Sequence, residues 1–152
     1  MNRNSGGASN VADNGSATTS TFVVSSGAMS PTFDASAVVT VTPLSGDVTT
    51  GTIVVFREPP HTGGTTGQMS IKRVIAIGAD TVSAVDGVVS VNGQTLSEPY
   101  LNPSCGGTRD FGPVVVASGQ LFVLGDTRCN SEDSRVYGPV DATAVVGVVA
   151  SP

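Results

Sequence analysis

Charge is scarce in this sequence. Lys, Arg, Asp and Glu make up 12% of the 152 residues, and the balance is −5. A nucleic-acid partner needs a basic face, which seven Lys and Arg among twelve Asp and Glu cannot supply. The same shortage argues against a polybasic patch for anionic lipid. Tryptophan is absent and aromatic residues are 5%. The one histidine, His61, stands in the loop-forming run Pro59-Pro60-His61-Thr62-Gly63-Gly64-Thr65-Thr66-Gly67. It has no Cys, Asp or Glu at ligand spacing, so it reads as a solvated loop residue, and neither a metal nor another cofactor is expected. No apolar run approaches the roughly 18 residues of a membrane span. Met1-Asn2-Arg3-Asn4-Ser5-Gly6 leads into polar residues, without the pattern of a signal peptide. As given, the chain reads as soluble.

Valine is abundant and comes in short blocks, Gly (19) and Pro (9) are frequent, and no long window repeats apolar residues at helical spacing. That combination points to one all-β domain of short strands and many turns. Residues 1–20 hold almost nothing to bury and read as a flexible tail or vector-derived linker. Small residues there (Ala8 to Ala12, Ala17) would also suit a peptide lying in a groove. Strands are expected at 21–24, 37–42, 51–56, 70–77, 114–117, 120–124 and 144–150. A hairpin is expected over Val88–Leu96 about Asn92-Gly93, and a long loop over Pro99–Pro113.

Three stretches stand apart. The first is Ser25-Ser26-Gly27-Ala28-Met29-Ser30-Pro31-Thr32, a sharp bend after a short β run. The second is Lys72-Arg73-Val74-Ile75-Ala76, followed by Gly78-Ala79-Asp80. Strand alternation puts Lys72 on the face of Val74 and Ala76. A lysine there is either an edge-strand gatekeeper or a buried amine. The third is Gly125-Asp126-Thr127-Arg128-Cys129-Asn130-Ser131-Glu132-Asp133-Ser134-Arg135, which by composition alone is a polar loop of local turns.

Taken together and in this order, the three resemble the bacterial type I signal peptidase family. The family patterns are Ser-Gly-Ser-Met-x-Pro-Thr, the lysine strand, and Gly-Asp-x-Arg-x-Asn-Ser-x-Asp-Ser-Arg. Asn92-Gly93 and Glu98-Pro99-Tyr100 resemble the family's hairpin and its exit, and the Cys-containing loop before Phe111-Gly112-Pro113-Val114 resembles an actinobacterial member. The resemblance covers roughly residues 21–150. It implies coiled antiparallel sheets of the signal peptidase and LexA-like type over 21–152, with an inserted hairpin and long loop at about 85–120. It also implies a serine endopeptidase that removes signal peptides after Ala-x-Ala-like sites with a Ser/Lys dyad.

Such a dyad needs a neutral amine, and at a pKa of about 10.4 only about one lysine in a thousand is neutral at pH 7.4. Burial among apolar neighbours lowers that pKa. By resemblance, Lys72 is the general base, Ser131 hydrogen-bonds and orients its amine, and Ser26 donates to the oxyanion beside the N–H of residue 28. Arg73 with Asp126 and Asp133 with Arg135 are implied ion pairs that support the third segment. Val24, Met29, Phe33, Ile71 and Leu124 are the implied lining of small, shallow substrate pockets.

Position 28 departs from the family, because Ala28 stands where the reactive Ser is expected. A methyl group cannot attack a carbonyl, so this copy is expected to be inactive. Three origins fit: an engineered Ser→Ala change, a natural binding or assembly factor like the signal-peptidase-like proteins of pilus assembly, or a nucleophile displaced to Ser26 or Ser30. The expected partners are signal peptides of secreted preproteins and, through an apolar rim near Phe22 and Phe33 and a missing N-terminal anchor, the extracytoplasmic membrane face. No nucleic acid is expected, and the domain is expected to be a monomer. A LexA-type self-cleaving peptidase is a further alternative, although no DNA-binding segment or internal cleavage loop is evident. The two cysteines, Cys105 and Cys129, suggest one disulfide in an extracytoplasmic protein; two free thiols are the other possibility.

Overall fold

The computed structural model describes residues 18–65 and 67–152. The tail expected over residues 1–20 lies outside the described residues as far as 17, and Ser20 already belongs to a strand. Among the described residues eleven strands form: β1 (Ser20–Val23), β2 (Val38–Val41), β3 (Ile53–Arg57), β4 (Met69–Ile77), β5 (Thr81–Val85), β6 (Val88–Val91), β7 (Gln94–Thr95), β8 (Phe111–Val115), β9 (Gln120–Leu124), β10 (Val140–Asp141) and β11 (Val145–Val149). One helical turn, α1 (Ser134–Tyr137), closes the third polar segment. Asp133 caps it, its carboxylate accepting from the Arg135 N–H.

The strands make three antiparallel sheets: β1-β2, the five-stranded β10-β9-β4-β3-β11, and the four-stranded β7-β6-β5-β8. β3 and β4 lie inside the five-stranded sheet and are buried along almost their whole length, which explains why β3 and residues 74–77 of β4 read as apolar runs rather than alternations. Val24, Met29 and Ile71 share a core with Val39, Val41, Ile53 and Val55. Phe122 and Leu124 share another with Val82, Ala84 and Val89 of the four-stranded sheet.

Three strands differ from the sequence expectation, one of them the two-residue β10, where none was expected. Thr81-Val82-Ser83-Ala84-Val85 forms β5, where no strand was expected; Val82 and Ala84 are its buried alternate positions. β8 starts at Phe111 and carries Gly112-Pro113, three residues ahead of the expected strand. It lies at the edge of its sheet, where a proline's missing N–H leaves no ladder bond unmade. The Asn92-Gly93 hairpin turns with positive φ at both residues (54° and 80°), the requirement of a tight β6–β7 connection. The pairing of β4 with β9 shifts register between Val74 and Ala76. As a result Ile75 and Ala76 both enter the core beneath the four-stranded sheet, while Val74 and Ile77 enter the opposite one. The simple alternation from Lys72 to Ala76 is thus broken by a bulge.

Cys105 and Cys129 are joined, Cα to Cα 5.3 Å, tying the loop before β8 to the segment after β9. Closing a loop of 24 residues' separation limits the unfolded chain. The Cys105→Ser/Cys129→Ser protein is therefore expected to lose about 3.5 kcal/mol of stability in urea denaturation.

Candidate active site

β1 runs into the bend at 25–32, β4 passes beside it, and the segment after β9 closes over it. These pieces enclose a cleft of about 520 Å³. Ser26, Ala28, Lys72 and Ser131 all face it, as do Val24, Met29 and Ile71. Leu124 does not: it is fully buried in the core under the four-stranded sheet. Phe33 packs against the first core instead of lining the cleft. Phe22 and Met69 also line the cleft.

The bend is held from the third segment. The Thr127 N–H donates to Ala28 O (2.8 Å), and the Thr127 hydroxyl lies 2.7 Å from Gly27 O and 2.9 Å from Ser30 O. Gly125 makes the approach possible, since a Cβ there would sit 2.2 Å from Ser131 Oγ and 2.7 Å from Ala28 O. Beneath the bend, Arg73 forks onto Asp126 through Nε (2.9 Å) and Nη2 (2.8 Å). Thr32 donates to the same carboxylate at 2.6 Å. The Arg73 guanidinium also lies 3.8 Å over the Tyr100 ring. Asp133, likewise fully buried, accepts from the Gly125 N–H (3.0 Å), from Ser131 Oγ (2.8 Å) and from the Arg135 guanidinium (2.8 Å).

Lys72 is 6% exposed. Burial lowers its pKa from the ordinary 10.5, while Asp133, Glu58 and Glu132 pull the other way. Its Nζ donates to Ser70 Oγ at 2.9 Å. The sequence reading gave that partnership to Ser131, whose hydroxyl instead donates to Asp133. Ser70 lies on Lys72's own strand face, two residues away, so its oxygen is the acceptor the strand itself brings to the amine. The Ala28 N–H makes a long 3.3 Å bond to Ser26 Oγ.

His61 is not solvated. Its side chain is 5% exposed, its Nε2 lies 3.7 Å from both Glu58 and Glu132, and its ring sits 4.9 Å from that of Tyr137. The Nδ1 hydrogen bond to Pro59 O and then the two carboxylates raise its pKa against the opposing effect of burial. Sequence reasoning missed Ser70, Glu58 and Glu132. Only Ser70 carried a signal, two places from Lys72 on one strand.

A family model described as signal peptidase, peptidase S26, matches residues 14–152. The chain belongs to this family. Signal peptidase I of Mycobacterium tuberculosis (strain H37Rv) is 43% identical over 84 residues, covering 48% of this chain and 28% of the relative. Signal peptidase I V of Bacillus subtilis (strain 168) is 36% identical over 110 residues, 64% of this chain and 62% of the relative. The chain thus spans between about a quarter and three fifths of these relatives' lengths. The crystal structure of a signal peptidase I from Enterococcus faecalis V583 superposes with a TM-score of 0.61 at 31% identity, covering 70% of this chain and all of that one. The mostly antiparallel β architecture of this signal peptidase family member matches that neighbour.

Two outcomes follow from the buried charges. Folding takes Lys72 to a lower pKa, so between that value and 10.5 the unfolded chain holds more protons and stability rises with pH. Lys72→Met is therefore expected to raise the melting temperature at pH 7 by a few degrees, at about 2–4 °C per kcal/mol. The gain should shrink toward pH 10.5, as calorimetry at both pH values would read. Asp126→Ala strands the Arg73 charge and is expected to cost about 3–5 kcal/mol in denaturant unfolding.

Proposed function

We propose that the cleft is a Ser/Lys peptidase site of the signal peptidase I type, and that Ala28 leaves this copy able to bind its substrates but not to cut them. The observation that carries the reading is a buried, pKa-lowered lysine facing the same cleft as residue 28 and Ser26. With a hydroxyl at position 28, neutral Lys72 would take its proton as the oxygen attacks the substrate carbonyl. The oxyanion would accept from the residue 28 N–H and from Ser26 Oγ. Collapse would expel the amine, protonated by the Lys72 ammonium, and leave an ester at position 28. Water, deprotonated by Lys72, would then release the acid. Ala28 has no oxygen, so no first bond forms and an intact peptide stays bound.

The substrates in this reading are signal peptides with small residues near the cut. Val24, Met29 and Ile71 face the cleft with 5% exposure or less, an apolar wall that small side chains would suit. A second groove of about 950 Å³ shares Cys129 and Ser131 with the cleft and would take the chain on the far side of the cut. Val23 and Val38, cross-strand partners exposed at 59% and 66%, give β1-β2 an apolar outer surface next to the cleft wall at Phe22. That surface supports work at the extracytoplasmic membrane face. Among the described residues no helix is long and apolar enough to cross a membrane.

The test is hydrolysis of an Ala-x-Ala signal-peptide substrate. The Ala28→Ser protein should cut it, Ala28→Ser/Lys72→Met should be slower by at least about 10³-fold, and the protein as it stands should bind without cutting. A correctly folded but inactive Ala28→Ser protein overturns the dyad.

A further inference from the structure

Lys72 is the only lysine in the chain. Its amine is buried with one strand neighbour: Ser70 Oγ accepts from Nζ at 2.9 Å, and Ser70 is itself buried. The register explains the contact. Ser70 and Lys72 are alternate residues of β4, so both side chains leave the same strand face, and both face the cleft. Ser131 faces the cleft too, but the hydrogen bond of the amine goes to Ser70, and the Ser131 hydroxyl donates to Asp133. The remaining charged groups around the amine are carboxylates: Glu58 from the loop after β3, and Glu132 and Asp133 from the segment after β9. His61 stands behind the first two.

We propose that Ser70 is the positioning residue of this site, holding one N–H of Lys72 so that the amine's lone pair is turned toward residue 28. The proposal rests on the reading of Lys72 as general base. A neutral amine has two N–H bonds and one lone pair, and fixing one N–H on the strand restricts where the lone pair points. Without that acceptor the chain of methylenes is free to rotate, and the buried ammonium also loses a hydrogen-bond partner. The serine therefore aims the base and sets how easily it loses its proton. A hydroxyl that only lined the cleft would affect substrate fit alone.

The sole lysine makes a direct test possible in the protein as it stands, with Ala28 in place and no turnover. Lysine labelled at Cε gives one side-chain NMR signal, whose titration reads Lys72. Ser70→Ala is expected to move its midpoint down by about one unit, and Ser70→Thr, which keeps the hydroxyl, to restore it. An unchanged or raised midpoint in a folded Ser70→Ala protein overturns the proposal. In the Ala28→Ser background, Ser70→Ala should lower kcat by about tenfold or more and shift the acid limb of its pH profile downward. KM should change little, and Ser70→Thr should recover most of the rate. A change confined to KM would mark Ser70 as cleft wall only. Failure of Ala28→Ser itself to cut would count against the dyad, while the NMR titration would still decide whether Ser70 holds the amine.

Discussion

The buried fork between Arg73 and Asp126 is the interaction on which the site depends. Arg73 neighbours Lys72 on β4, and Asp126 begins the segment that follows β9. Asp126 is 0% exposed and also takes the Thr32 hydroxyl at 2.6 Å, so one carboxylate joins the lysine strand, the closing segment and the bend. A charge pair at this depth is costly to desolvate, and it holds only because the fork, Thr32 and the Gly51 carbonyl that accepts from Arg73 saturate the polar atoms. The direction and reach of such bonds specify one arrangement of three chain segments. Valine packing alone would tolerate several.

Around this anchor the molecule separates two environments. The amine of Lys72 is buried on β4, where desolvation disfavours its charge. The carboxylates of Asp133, Glu58 and Glu132 face it and oppose that effect. Asp133 is already engaged by Arg135, Ser131 and the Gly125 N–H, and Glu58 and Glu132 both face the His61 ring. Each nearby negative charge therefore has another partner besides the lysine. The balance leaves Lys72 below its ordinary pKa, as a lysine base requires.

Much of this was legible in the chain. The valine blocks and frequent turn formers gave the β class, and Asn92-Gly93 gave its hairpin, because both are local signals. β5 was missed although Val82 and Ala84 alternate, since five residues between a turn and a hairpin offer little pattern to read. The bulge between Val74 and Ala76 was invisible because it belongs to the pairing of β4 with β9 and not to either strand alone. Leu124 is assigned to the cleft only by family resemblance. The four-stranded sheet claims it for another core.

The sequence by itself determined the ingredients and their order: a bend with Ala28 where a hydroxyl is expected, one lysine in an apolar strand, and a polar segment rich in Asp, Arg and Ser. It also determined what each group can do chemically, since a methyl carries no nucleophile and an amine carries a lone pair. Only the tertiary structure decided the partners. Thr32 meets Asp126 across 94 residues of sequence, His61 leaves solvent for two carboxylates, and Lys72 is held by Ser70 while Ser131 turns to Asp133. Those choices depend on angstrom distances between segments far apart in the chain, and hydrogen-bond energy falls steeply over such distances.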